Sequence, residues 1–239
     1  MSRRTAIDGA VRRRVYLFRH GAVDYVDSTG AWVEDTDVVQ LNPEGRAQAV
    51  AMSDLFADVA VDKAVCSGIA RTVETGTTIL GDRDLELEVV PGLREIRHGA
   101  GARADYDVFA DIAFSHWRAP QEDATFLGGE RYREFYARIA ATMDALLADL
   151  SWHNLAIFAH GGTNAAVLGW ATGIELQAFG LIDQAMCCLN VLDFDVTEDG
   201  TVVRKVVRAM NITADDPVKH RRDASDMELL ARRLLRLPR

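Results

Sequence analysis

The chain has 239 residues, a hydrophobic fraction of 49% and a formal net charge of −9 at pH 7. This suits one α/β domain with an inserted cap and enough length for a sizeable core. The acidic balance argues against a general nucleic-acid surface, and no apolar run is long enough to span a membrane.

Residues 1–14 carry Arg3-Arg4 and Arg12-Arg13-Arg14 with no apolar segment suited to a secretory signal, so they are expected to form a flexible basic arm. Val15-Tyr16-Leu17-Phe18 is short, apolar and rich in β formers, which predicts a buried strand. Arg19-His20-Gly21 then falls at its carboxyl end, where open α/β sheets bind ligands. A histidine there, between an arginine and a chain-reversing glycine, suggests a nucleophile beside an anion clamp. After the irregular stretch Ala22 to Gln40, Asn42 and Pro43 read as the N-cap and first residue of a helix. Its apolar spacing puts Ala47, Val50, Ala51 and Leu55 toward the sheet.

A strand at Lys63–Cys66 leads through Ser67-Gly68 into a helix from about Ile69 to Leu80, carrying Arg71 in its first turn. Leu85 to Val90 reads as a further strand, stopped by Pro91-Gly92 and followed by Leu93-Arg94-Glu95. From Gly99 to Gly129 periodicity is poor, and a small helical cap over the sheet edge is expected there. Tyr132, Phe135, Ile139, Met143, Leu146 and Leu150 then mark a strongly amphipathic helix. Leu155–Ala159 repeats the opening pattern, a strand running into His160-Gly161-Gly162, followed by a small-residue helix from about Thr163 to Thr172. Cys187–Phe194 and Val202–Met210 read as closing strands around a Glu198-Asp199-Gly200 turn. Cys187 and Cys188, adjacent in such a strand, should point to opposite faces. The cysteines, Cys66 included, lack metal-ligand spacing and read as reduced, which favours a cytoplasmic setting. Residues 213–239 are expected to form an amphipathic tail.

Two matched strand–His–Gly units would deliver two histidines to one sheet edge, with Arg19 and Arg71 beside them. Arginine suits phosphate because its planar fork can bind two oxygens at once. Histidine attacks phosphorus only as the neutral imidazole, and neighbouring cations should keep His20 neutral. His160, if protonated, would add to the positive charge of the cradle. Glu95 is the candidate proton donor to the leaving group. Glu130 is an alternative acid, but its place at a helix start favours a dipole role. No metal or other cofactor is called for, since the side chains themselves supply positive charge.

Taken together, Arg19-His20-Gly21, Leu41-Asn42-Pro43-Glu44-Gly45 with Gln48-Ala49, Ser67 to Thr72, Leu93-Arg94-Glu95 and His160-Gly161 resemble the histidine phosphatase superfamily, branch 1, the phosphoglycerate mutase-like fold. The resemblance spans roughly residues 15 to 212 with the motifs in order. It implies a three-layer α/β/α sandwich with a mostly parallel central sheet and a small helical cap at about 99–129. It also implies a phosphohistidine on His20, phosphate binding by Arg19, Arg71, His160 and Gly161, and proton donation by Glu95. Ala22-Val23-Asp24 and Gly99-Ala100-Gly101-Ala102 depart from common family patterns, which bears on the substrate pocket. Gly161 argues against the acid phosphatase and phytase branch.

The reading is a metal-independent phosphomonoester hydrolase acting on a small phosphorylated substrate, with no nucleic-acid or membrane partner. A mutase that returns the phosphoryl group to a second hydroxyl is the alternative, and a non-catalytic phospho-ligand module is another. A homodimer is compatible with the sequence, but no residue demands one.

Overall fold

The computed structural model describes residues 5–25, 33, 35–99, 124–126, 128–220, 224–226 and 228–229. Strand Ala10–Arg19 (β1) is followed by helix Pro43–Phe56 (α1), strand Lys63–Cys66 (β2), helix Ala70–Leu80 (α2) and strand Leu87–Val89 (β3). Helix Tyr132–Ala148 (α3), strand Asn154–Ala159 (β4), helix Gly161–Thr172 (α4) and the short helix Ala178–Leu181 (α5) come next. Strands Leu189–Thr197 (β5) and Val202–Ile212 (β6) close the fold. The sheet order is β3-β2-β4-β1-β5-β6. Strands β3, β2, β4 and β1 are mutually parallel, while β5 pairs antiparallel with both β1 and β6.

The period-two alternation of β1 divides the core between two layers. Val15 and Leu17 pack with Ile139 and Met143 of α3, and with Val167 and Leu168 of α4. Phe18 packs on the other side with Met52 and Phe56 of α1 and Ile79 of α2. It stacks on Phe158 of β4 at 5.0 Å and meets Phe56 edge-on at 5.1 Å. With helices on both faces of a mostly parallel sheet, the chain is a three-layer α/β/α sandwich, as expected.

Local readings differ from the structure in four places. The expected basic arm ends earlier than residue 14, because β1 begins at Ala10. Arg12 and Arg14 pair with Asp195 and Asp193 on the neighbouring strand, at 2.8 and 2.6 Å. Arg13, buried on the opposite face, lies over the Trp152 ring and donates to the Asp149 carbonyl. The arginine run is therefore strand, with the charges of Arg12 and Arg14 met across the sheet.

The buried face of α1 is Gly45, Ala49, Met52 and Phe56, whereas Val50 and Leu55 are 53% and 54% exposed. The phase is set by a backbone crossing. A Cβ on Gly45 would lie 2.1 Å from the Ala22 carbonyl oxygen, and one on Gly21 would lie 2.6 Å from the Gly45 carbonyl oxygen. Leu150 falls past the end of α3 and is exposed, and Leu147 is buried instead. Cys187 and Cys188 precede β5, with Cys187 at φ +56°. All three cysteines are buried free thiols. Most of the expected cap, 100–123, and most of the tail, including 230–239, lie outside the described residues.

The Gly45 crossing leaves no room for a methyl group against rigid backbone. Gly45→Ala should cost about 2 kcal/mol or more and lower the thermal midpoint by roughly 4 °C or more. Val50→Ala on the exposed face of the same helix should shift it by no more than about 0.5 kcal/mol. Equal midpoints for both variants in a thermal melt would contradict this placement of α1.

Candidate active site

Four chain segments meet at the carboxyl ends of β1, β2 and β4. Arg19 is the last residue of β1, and His20 follows it at 3% exposure. Ser67 follows β2, Arg71 sits in the first turn of α2, and His160 caps the start of α4 directly after β4. The His20 and His160 rings lie 5.3 Å apart, centroid to centroid. The structure therefore brings Arg19, His20, Arg71, His160 and Gly161 together.

The polar partners fix both imidazole tautomers. Nδ1 of His20 lies 2.8 Å from the Gly21 carbonyl oxygen, which can only accept, so Nδ1 carries the proton and Nε2 the free lone pair. Gly21 is held in turn by its N–H, which donates to the Thr75 hydroxyl at 3.1 Å. The Thr72 hydroxyl donates to the Ile69 carbonyl at 2.8 Å, so the Ser67 hydroxyl donates to Thr72 and accepts from Nε2 of His160. Nδ1 of His160 then accepts from Nη2 of Arg71 at 3.4 Å.

Burial holds His20 well below the usual imidazole range, and the charges of Arg71 and Arg19 push it further down. His160 is held down by burial and then by Arg71. A protonated His160 in the resting site is thus corrected to a neutral one. The positive charge comes from the arginines.

Those arginines are unusually placed. Both are buried, Arg71 at 4% exposure. Nη1 of Arg71 donates to the Thr36 carbonyl at 2.7 Å, and its guanidinium lies over the Tyr25 ring. Nη1 of Arg19 donates to the Gln184 carbonyl and to Asp226. Among the described residues, the buried side-chain nitrogens with no hydrogen-bond partner are Nε of Arg19 and Nε of Arg71. A Cβ on Gly161 would lie 3.2 Å from that Arg19 Nε, so the glycine lets the guanidinium pack close against the start of α4.

Glu95 reaches the same edge from the segment after β3. Its Oε2 accepts the Gly162 N–H at 2.9 Å, and its Oε1 accepts the Ile96 N–H at 3.0 Å. Gly162 is required for this approach, since a Cβ there would lie 2.5 Å from Oε1. The neighbouring Arg94 pairs with Asp37, tying the segment around Thr36 to the rim. Glu130, the alternative acid, is occupied elsewhere. Arg138 donates to both of its oxygens at 3.1 and 2.9 Å, and the Glu130 carboxylate also accepts the Arg97 N–H. It braces the Glu95 segment against α3.

Sequence reasoning missed Thr75, Gly162, Gln184, Asn190 and Asp226. Gln184 and Asn190 form a reciprocal amide pair at 3.1 and 2.7 Å behind Arg19. Thr75 lies one turn after Arg71 on the buried face of α2, a spacing legible in the sequence; Gln184 and Asp226 had no local signal. Of the remaining histidines, His98, His153 and His220 are exposed, and His116 lies outside the described residues. Among the described residues, no group of three or more His, Cys, Asp or Glu is arranged to hold a metal ion.

The model of the histidine phosphatase superfamily (branch 1) matches residues 15–207. The chain belongs to that superfamily. It is 24% identical over 213 residues to the 2-carboxy-D-arabinitol-1-phosphatase of Triticum aestivum, covering 87% of this chain. The chain spans only 42% of that protein's length. It is 24% identical to the adenosylcobalamin/alpha-ribazole phosphatase of Escherichia coli, covering 76% of this chain and 90% of that one. The structure of mycobacterial glucosyl-3-phosphoglycerate phosphatase superposes with a TM-score of 0.69 at 23% identity, covering 84% of this chain and 99% of that one. The structural likeness supports the fold. In this member of the superfamily, burial holds the two motif histidines toward the neutral form, and the positive charge beside them is that of Arg19 and Arg71.

The buried histidines set a pH dependence of stability. Folded, both stay neutral; unfolded, each takes up a proton near pH 6.5. Below that value the unfolded chain binds more protons, so stability is full above about pH 6.5 and falls by up to about 2.7 kcal/mol per pH unit beneath it. The urea midpoint should therefore drop between about pH 7.5 and 5.5, and His160→Gln should remove roughly half of the drop. A midpoint unchanged over that interval would contradict two buried neutral histidines.

Proposed function

We propose that the protein is a metal-independent phosphomonoester hydrolase that works through a phosphohistidine on His20. The observation that carries this reading is the pair of partnerless buried Nε donors, on Arg19 and Arg71, whose charges act on a buried, neutral His20 imidazole. Buried donors without partners are costly, and the phosphoryl oxygens of a substrate would satisfy both.

In the proposed reaction, Nε2 of His20 attacks phosphorus while the bond from phosphorus to the ester oxygen breaks. The leaving oxygen takes a proton from Glu95. Arg19 and Arg71 stabilise the charge on the equatorial oxygens, and His160, held by Ser67, lines the same cradle. Water then attacks the phosphohistidine and gives its proton to Glu95. The N–P bond breaks, releasing phosphate and restoring the neutral imidazole. Membership of the superfamily and the phosphatase names of its relatives support hydrolysis over isomerisation. The substrate class this chemistry selects is a small phosphomonoester. Specificity would fall to the residues around Thr36 and to the cap region.

The test is turnover of p-nitrophenyl phosphate in excess chelator. Wild type should retain its activity, and His20→Ala should lose about a thousandfold or more. Activity that disappears with chelator, or survives the substitution, would contradict the proposal. Glu95→Gln separates the acid from the nucleophile. It should slow hydrolysis of an alkyl phosphate by about a hundredfold or more and affect the nitrophenyl ester by less than about tenfold, because the latter leaves without a proton. Equal losses on both esters would remove Glu95 from the role of acid.

A further inference from the structure

The matched family model ends at residue 207, yet the chain reaches the active site again after it. Asp226 is 7% exposed, and its Oδ2 accepts from Nη1 of Arg19 at 2.7 Å. It is held there by a local device. Ser225 and Glu228 form a capping box. The Ser225 N–H donates to the Glu228 carboxylate at 2.7 Å, and the Glu228 N–H donates to the Ser225 hydroxyl at 3.3 Å. The Asp226 N–H is directed toward Asp183, next in sequence to Gln184.

The same Arg19 nitrogen also donates to the Gln184 carbonyl. Nη1 has two hydrogens, so both are engaged, one by the loop before β5 and one by the C-terminal segment. The Nε edge is left toward Gly161 and the site. A guanidinium held from behind at two points presents that edge in one orientation, and the fork's value to an oxyanion depends on orientation.

We propose that Asp226 is a positioning residue for the phosphate clamp: through the buried ion pair with Arg19, the C-terminal segment aims the Nε edge at the phosphoryl group. The proposal rests on the phosphatase reading above.

The experiment uses the full chain, with p-nitrophenyl phosphate as substrate and orthovanadate as an oxyanion probe. Wild type is compared with Asp226→Ala, Asp226→Asn, Arg19→Ala and the double variant R19A/D226A. Each Asp226 variant should lower kcat/KM about tenfold or more and weaken orthovanadate inhibition by a similar factor. If Asp226 acts through Arg19, adding D226A to R19A should cost nothing further. Should Asp226→Ala fail to fold, Asp226→Asn keeps the shape, removes the charge and carries the same comparison. A loss from D226A that persists undiminished in the Arg19→Ala background marks a merely structural residue and overturns the proposal. A gain in activity or tighter orthovanadate binding also overturns it, showing a carboxylate that competes with the phosphoryl group for Arg19. An active wild type with unaffected Asp226 variants overturns this proposal alone. A wild type without turnover overturns the phosphatase reading and this proposal with it.

Discussion

Two guanidinium groups kept out of water beside a neutral imidazole dictate the arrangement of everything around them. A buried cation without compensation costs several kcal/mol, so the fold must supply acceptors. It does so sparingly. Arg71 receives the Thr36 carbonyl, and Arg19 receives the Gln184 carbonyl and the Asp226 carboxylate. On each, the buried Nε is left without a partner. The same burial and the same charges hold His20 in the neutral form. In the proposed reaction, anion affinity and nucleophile readiness would thus come from one cause.

That demand explains why distant segments converge. The sheet brings Arg19 and His160 to the ends of adjacent parallel strands, at register Arg19 to Ala159. The start of α2 supplies Arg71, and the start of α4 supplies the Gly162 N–H that receives Glu95. Glycine is needed wherever backbone comes close. Gly21 and Gly45 let the loop after His20 cross α1, and Gly162 admits the carboxylate. Gln48 of α1 accepts the Ala22 N–H at 2.9 Å and steadies that loop.

Much of this was legible because its signal is local. A short β-rich run broken by His-Gly announces a strand end, and two such runs announce a shared edge. The α/β/α layering followed from alternating strand and helix patterns. The features that escaped depend on long-range partners. Arg12 and Arg14 resemble a solvated charge run until Asp195 and Asp193 are placed opposite them. The face of α1 was misread because apolar spacing favoured Val50 and Leu55, while a glycine crossing fixed the rotation. The charge on His160 depends on complete burial and on Arg71, neither of which spacing reveals. Gln184 acts through its backbone carbonyl, which no residue type advertises.

The central claim is that phosphoryl transfer passes through His20, and rapid quenching of turnover followed by peptide mapping tests it most directly. With an alkaline quench, which preserves phosphohistidine, the account predicts a phosphoryl group on the peptide containing His20, lost on acid treatment and absent from His20→Ala. Steady turnover with no phosphorylated peptide, or with the group on His160, would contradict it.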